Sequence, residues 1–127
     1  MNIKNTKYLY KKYPKLFRQK NLSIQESCMP WGFECGDGWF FIIDKLCSQL
    51  QWDIDHNKQP QLEFIQVKEK FGSLRLYNSG ATEQQEGMIS LVEYLSNFIC
   101  EDCGSTDNVK QSKGWIYTRC EKCRKKK

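Results

Sequence analysis

Two C-x-x-C pairs stand near the C-terminus, Cys100-Glu-Asp-Cys103 and Cys120-Glu-Lys-Cys123, with sixteen residues between them. That spacing falls within the C-x2-C-x15–20-C-x2-C pattern of a zinc site. Each pair sets two thiolates on one tight backbone knuckle, whose N–H groups can hydrogen-bond the sulfurs. Two facing knuckles complete a tetrahedron. Gly104 and Ser105 are small enough for the first turn, and Cys120 ends the β-prone run Trp115-Ile-Tyr-Thr118. The expected element is a zinc ribbon with one Zn2+ per chain on Cys100, Cys103, Cys120 and Cys123. Four protein sulfurs leave no position for water or substrate, so such an ion serves structure and not catalysis. Disulfides are the competing use of these four residues, and the spacing favours the metal.

The remaining reactive side chains form weaker constellations. Cys28 and Cys35 are spaced C-x6-C, too loose for a knuckle, and Cys47 falls near the apolar face of a helix; a second metal site on these three with His56 is the alternative, and buried thiols are the commoner reading. His56, the one histidine, sits in a polar stretch with no partners for a nucleophilic machine. Glu34, Asp37 and Glu69 lie near glycines and lysines, which leaves a small metal-dependent nuclease or hydrolase as an alternative function. Their plain account is structural: Asp37 caps a helix, Glu34 pairs with a lysine, and Glu69 is solvated. No catalytic residue is assigned. The expected partner-binding residues are Lys68, Lys70 and Arg75 on a hairpin, with Trp115, Arg119, Lys122, Arg124 and Lys125 in the ribbon and its basic tail.

The net charge of +5 conceals an asymmetry. Residues 1–20 hold seven Lys/Arg and no acid, residues 119–127 hold six and one acid, and the middle is acidic. A basic tail beside a knuckle suits phosphate contact, although a solvated terminus carries the same pattern. Hydrophobic residues make up 39% of the 127, with seven Phe, six Tyr and four Trp, which argues for a folded core. No stretch approaches the roughly 20 apolar residues of a membrane span, and the lysine-rich start lacks the apolar core of a signal peptide. An odd number of cysteines, four with metal spacing, favours a reducing compartment. The expectation is a cytoplasmic protein with no membrane and no small-molecule substrate evident.

The elements that must position these groups follow from pattern. Residues 3–20 read as a basic amphipathic helix broken at Pro14. The stretch 28–39, rich in glycine and aromatics, reads as a loop ending at Asp37, an N-cap for a helix over 38–52 with Trp39, Ile43, Leu46 and Leu50 on one stripe. Asp53 to Pro60 reads as a polar connection. Leu62–Val67 and Ser73–Tyr77 read as strands joined by a five-residue loop, Lys68 to Gly72. Thr82 and Gln85 form a capping box for a helix over 83–99 with Met88, Leu91, Val92, Leu95, Phe98 and Ile99 inward. The fold class is α+β: a small helix–hairpin–helix body with a fused C-terminal zinc ribbon. Its parts are a basic helical arm (1–27), the body (28–99) and the ribbon with its tail (100–127).

The strings Glu34-Cys-Gly-Asp-Gly-Trp39 and Val67-Lys-Glu-Lys-Phe-Gly-Ser-Leu-Arg-Leu-Tyr77, followed by a helix and a C-x-x-C-Gly ribbon with Gly114-Trp115, resemble a group of small uncharacterised proteins carried by bacteriophages and prophages. The resemblance covers roughly residues 28–123, and Lys-Glu-Lys-Phe-Gly-Ser-Leu-Arg is its most specific part. It implies a phage-related setting in a bacterial host cell, with host takeover or inhibition of host defence as roles, and it carries over no catalytic residue. The combined expectation is a zinc-stabilised, non-enzymatic binding protein acting on a host protein or nucleic acid.

Overall fold

The computed structural model describes residues 1–126. Helix α1 spans Ile3–Lys12; the Asn2 side chain accepts from the Asn5 N–H at 2.7 Å and closes its first turn. Pro14 disfavours helical geometry at Tyr13, where the helix stops. Leu9, Tyr13, Leu16 and Phe17 are buried in the same core as the rest of the body, and the Phe64 N–H donates to the Leu16 carbonyl at 2.8 Å. The segment set apart in sequence as an arm is therefore part of the body's packing.

The loop expected over 28–39 contains a strand. Phe33–Glu34 (β1) pairs in parallel with β2, Glu63–Lys70, which pairs antiparallel with β3, Ser73–Ser79. The sheet order is β1-β2-β3, so the expected β2–β3 hairpin gains a third, parallel strand and the sheet is mixed. Two residues are too few to show a period-2 pattern, which is why β1 escaped the sequence reading. The register sets Val67 opposite Leu76 and Lys68 opposite Arg75. Alternation puts Val67, Leu74 and Leu76 on the buried face and Glu34, Lys68 and Arg75 in one row on the other.

The β2–β3 connection is tighter than expected. Lys68 to Lys70 continue the strand, and only Phe71 and Gly72 form the turn, at φ 53° and 82°. Positive φ at both central residues is the primed geometry that matches strand twist, and Asn-Gly is its favoured sequence.

Helix α2 runs Phe40–His56, one turn past expectation. Its extension is held by Asp53, which is buried and accepts from Gln85 Nε2 at 2.9 Å and Asn57 Nδ2 at 2.6 Å. Helix α3, Glu83–Leu95, starts with the expected Thr82/Gln85 capping box. Of the expected stripe, Met88, Val92 and Ile99 pack against the core, but Leu91, Leu95 and Phe98 are exposed, and the most buried positions belong to Gln85, Ile89 and Ser96 (in the tight turn Ser96–Phe98). The reason is polar. The helix covers the β3 edge, where the Leu76 N–H donates to Glu93 Oε2 at 2.8 Å and the Leu74 N–H to Ser96 Oγ at 2.9 Å. Edge-strand donors are satisfied this way, and an apolar-periodicity argument does not see them.

Candidate metal centre and the surface beside it

The ribbon hangs directly from the turn Ser96–Phe98. In the first knuckle the Cys100 N–H donates to the Ser105 carbonyl at 2.8 Å and the Gly104 N–H to the Cys100 carbonyl at 2.9 Å. Gly104 takes φ 83°, a region that favours glycine. Strands β4 (Lys110–Gln111) and β5 (Thr118–Arg119) pair antiparallel. They deliver Cys120 to the start of a short helix, α4, Glu121–Arg124, which carries Cys123.

The four sulfurs of Cys100, Cys103, Cys120 and Cys123 lie within 4.8 Å of one another, and Cys103 Sγ is 3.7 Å from Cys120 Sγ. A tetrahedron with Zn–S bonds of about 2.3 Å has sulfur–sulfur edges of about 3.8 Å. A disulfide would bring the atoms to about 2 Å, and all seven cysteines are free. The group can hold a metal ion, and four thiolates in this shape suit zinc. Cys100, Cys120 and Cys123 are buried, and Cys103 is exposed. The Cys123 N–H bears on the Cys120 sulfur and, with neighbouring thiols, holds that group down at about 7. The Ser105 N–H acts likewise on Cys103, but desolvation and the facing thiols leave it raised. Beyond the sulfurs, Val109 is the hydrophobic residue packed against this cluster. So small an apolar interior explains why the element needs either an ion or the body.

It has the body. The Gly38 N–H donates to the Glu101 carbonyl at 2.7 Å, the Gly36 N–H to the Glu101 carboxylate at 2.9 Å, and Trp39 Nε1 to the Ile99 carbonyl at 2.9 Å. A Cβ on Gly36 would stand 2.4 Å from the Glu101 carbonyl oxygen, and one on Gly38 2.0 Å from that of Cys100. On the other side, Thr118 Oγ1 donates to the Gly72 carbonyl and accepts from Gln111 Nε2 at 3.1 Å. A Cβ on Gly72 would meet Ile116 Cγ2 at 2.6 Å. Glycines of both singled-out strings, Gly-Asp-Gly and Phe-Gly, are thus the places where the ribbon touches the body. Burial with like-charged neighbours Glu69 and Asp102 pushes the Glu101 carboxyl up, against the Gly36 hydrogen bond.

No family model, curated protein or solved structure matches this chain.

Among the expected partner-binding residues, several are already engaged. Arg119, with a side chain only 13% exposed, pairs with Asp102 at 2.9 Å and lies over the Tyr117 ring at 4.0 Å. Arg124 donates to the carbonyls of Asn108 at 2.9 Å and Arg119 at 2.7 Å. Lys125 pairs with Glu121 at 3.1 Å. Lys122 is exposed, Lys68 and Arg75 are half-buried, and Lys70 lies over the Phe71 ring at 5.8 Å. Trp115 is 78% exposed. Lys127, in the basic tail, lies outside the described residues.

The three carboxylates weighed for hydrolysis have separate structural partners. Glu34 accepts from Gln66 at 3.3 Å, and Glu69 from the Gly72 N–H at 2.7 Å. Asp37 accepts from the Asn2 N–H at 2.8 Å and Asn5 Nδ2 at 3.1 Å, so it ties down the start of α1 and caps no helix. Among the described residues they form no group close enough to share an ion. His56 ends α2 and stacks on Trp52. Cys35 and Cys47 are buried, and Cys28 is half-buried.

Sequence reasoning missed Phe71. It is 70% exposed at the hairpin turn and lines a cavity of about 200 Å3 with Trp115, Gly114, Ile116 and Glu69. Its signal was present: a bulky aromatic in the place where a two-residue turn favours Asn.

Proposed function

We propose that this protein is a zinc-stabilised, non-enzymatic binding protein that acts on a host macromolecule in the bacterial cytoplasm. In this reading one structural Zn2+ per chain, held by Cys100, Cys103, Cys120 and Cys123, fixes the ribbon loop. The ribbon loop and the hairpin turn then present one recognition surface around Trp115 and Phe71, with Lys68, Lys70 and Arg75 behind them. The observation that carries the reading is the lock between the two elements: Thr118 and Gln111 of the ribbon both reach the Gly72 carbonyl of the turn. Two exposed aromatics from distant parts of the chain then stand around one cavity. Aromatic residues in a desolvated pocket, rimmed by polar groups, are the usual energetic centre of an interface. The phage-borne setting, and with it inhibition of host defence, rests on the sequence resemblance.

The test is affinity purification from host cells, with and without nuclease, using the wild type and Trp115→Ala. A macromolecule recovered with the wild type and lost with Trp115→Ala supports the assignment. Equal recovery with both, or none with either, removes it.

A further inference from the structure

We infer that the turn and ribbon loop bind single-stranded nucleic acid, seating one unstacked base between Phe71 and Trp115 with its phosphates on the neighbouring lysines. This deepens the macromolecule-binding reading and rests on it. Three observations lead here.

The first is shape. A cavity of about 200 Å3 lined by two exposed rings, Phe71 and Trp115, has room for one planar ring system. Base–aromatic stacking is tolerant of sequence because every base has a flat face.

The second is backbone strain. Phe71 holds φ 53°, a left-handed conformation that is costly for a bulky side chain. Asn before Gly72 would satisfy the same turn without that cost. With the ring 70% exposed, packing does not repay the strain; a ligand laid against the ring does.

The third is charge. Lys70 precedes Phe71 and Lys113 lies two residues before Trp115, and both lysines are exposed. Lys68 stands directly opposite Arg75, with Glu34 on its other side in the same row, so two cations share one carboxylate and the row keeps a net positive charge. One carboxylate, Glu69, lines the cavity, and one of its oxygens accepts from the Gly72 N–H at 2.7 Å. Its remaining acceptor capacity suits an exocyclic amine or ring N–H of a base. A duplex keeps its bases stacked and cannot offer one. An acidic peptide would use the lysines and leave the rings without a partner.

The experiment titrates the full-length, zinc-loaded protein with a fluorescent mixed-sequence single-stranded oligonucleotide and with the same sequence as duplex, across a salt series. Expected are single-strand binding about tenfold or more tighter than duplex and affinity that falls with salt. Trp115→Ala and Phe71→Asn should each weaken binding about tenfold or more, while Trp115→Phe retains most of it. Phe71→Asn should at the same time raise the melting temperature, so lost affinity cannot be laid to misfolding. The inference is overturned if no single strand binds at low salt, if duplex binds equally, or if both ring variants bind as the wild type does. A nuclease-resistant protein complex that Trp115→Ala abolishes, with no oligonucleotide binding, overturns this inference and leaves the broader reading standing. If no macromolecule depends on Trp115, both fall.

Discussion

The Gly38 N–H donates to the Glu101 carbonyl at 2.7 Å, one residue past the first cysteine of the four-sulfur cluster, and a Cβ on Gly38 would stand 2.0 Å from the Cys100 carbonyl oxygen. The loop before α2 and the first knuckle therefore meet backbone to backbone. The position of the cysteines is set by the body as well as by any ion.

Gly38→Ala should separate the two. The clash is with backbone, which cannot rotate away, so the cost is about 3 kcal/mol or more. Thermal melting and zinc-release kinetics check this: the variant should melt lower and release zinc faster. Wild-type values in both would mean the contact is not tight.

Chelation should loosen the ribbon first. Metal binding supplies folding free energy to small modules of this kind, and the ribbon has little apolar interior. In hydrogen exchange after chelation, the Gly38 and Gly36 amides should lose protection because their acceptors belong to Glu101. The amides of β2 and β3 should keep theirs. Cys103→Ser should act in the same direction.

Gln85→Ala tests the link between α2 and α3. Gln85 closes the capping box and donates to buried Asp53. Its removal takes one donor from a buried carboxylate and the acceptor from the Thr82 N–H, while the bond from the Gln85 N–H to Thr82 Oγ1 stays, for a loss of roughly 2–3 kcal/mol in chemical denaturation. A loss under about 0.5 kcal/mol, the level of an ordinary surface change, would contradict the link.

Alkaline pH should weaken the fold. Burial pushes the Cys35 thiol from its ordinary value of 9.0 up to about 12. Between those values the folded chain keeps a proton that the unfolded chain has lost. Stability therefore falls as pH rises through this window, by roughly 1–2 kcal/mol at pH 10 for this group alone. Tyr10 and Tyr13, both raised to about 12 by burial, add to the fall above pH 10. Denaturant titrations near pH 8 and pH 10 should show a smaller pH effect in Cys35→Ala. An unchanged pH effect in the variant would refute the assignment.

The cysteine spacing, the Thr82/Gln85 cap and the Pro14 break were legible because each is a local rule written in adjacent residues. What escaped was held by distant polar partners. Asp53 looked like the start of a loop because its stabilising amide lies on Gln85, 32 residues away. Half of the α3 stripe, Leu91, Leu95 and Phe98, was misread because Glu93 and Ser96 face a strand edge with hydrogen bonds instead of hydrocarbon. The five-residue loop was expected because three charged residues in a row resemble a turn, whereas alternate faces of β2 accommodate them. At the candidate site, the cysteines were readable, but Phe71 becomes a surface residue beside Trp115 only when the ribbon folds back onto Gly72.

Metal analysis with zinc-edge X-ray absorption on the purified protein tests the central claim most directly. The account predicts one zinc per chain with four sulfurs at about 2.3 Å. Less than about half an equivalent of metal, given the tight binding of structural sites, or cysteines 100, 103, 120 and 123 recovered as disulfides, would contradict it.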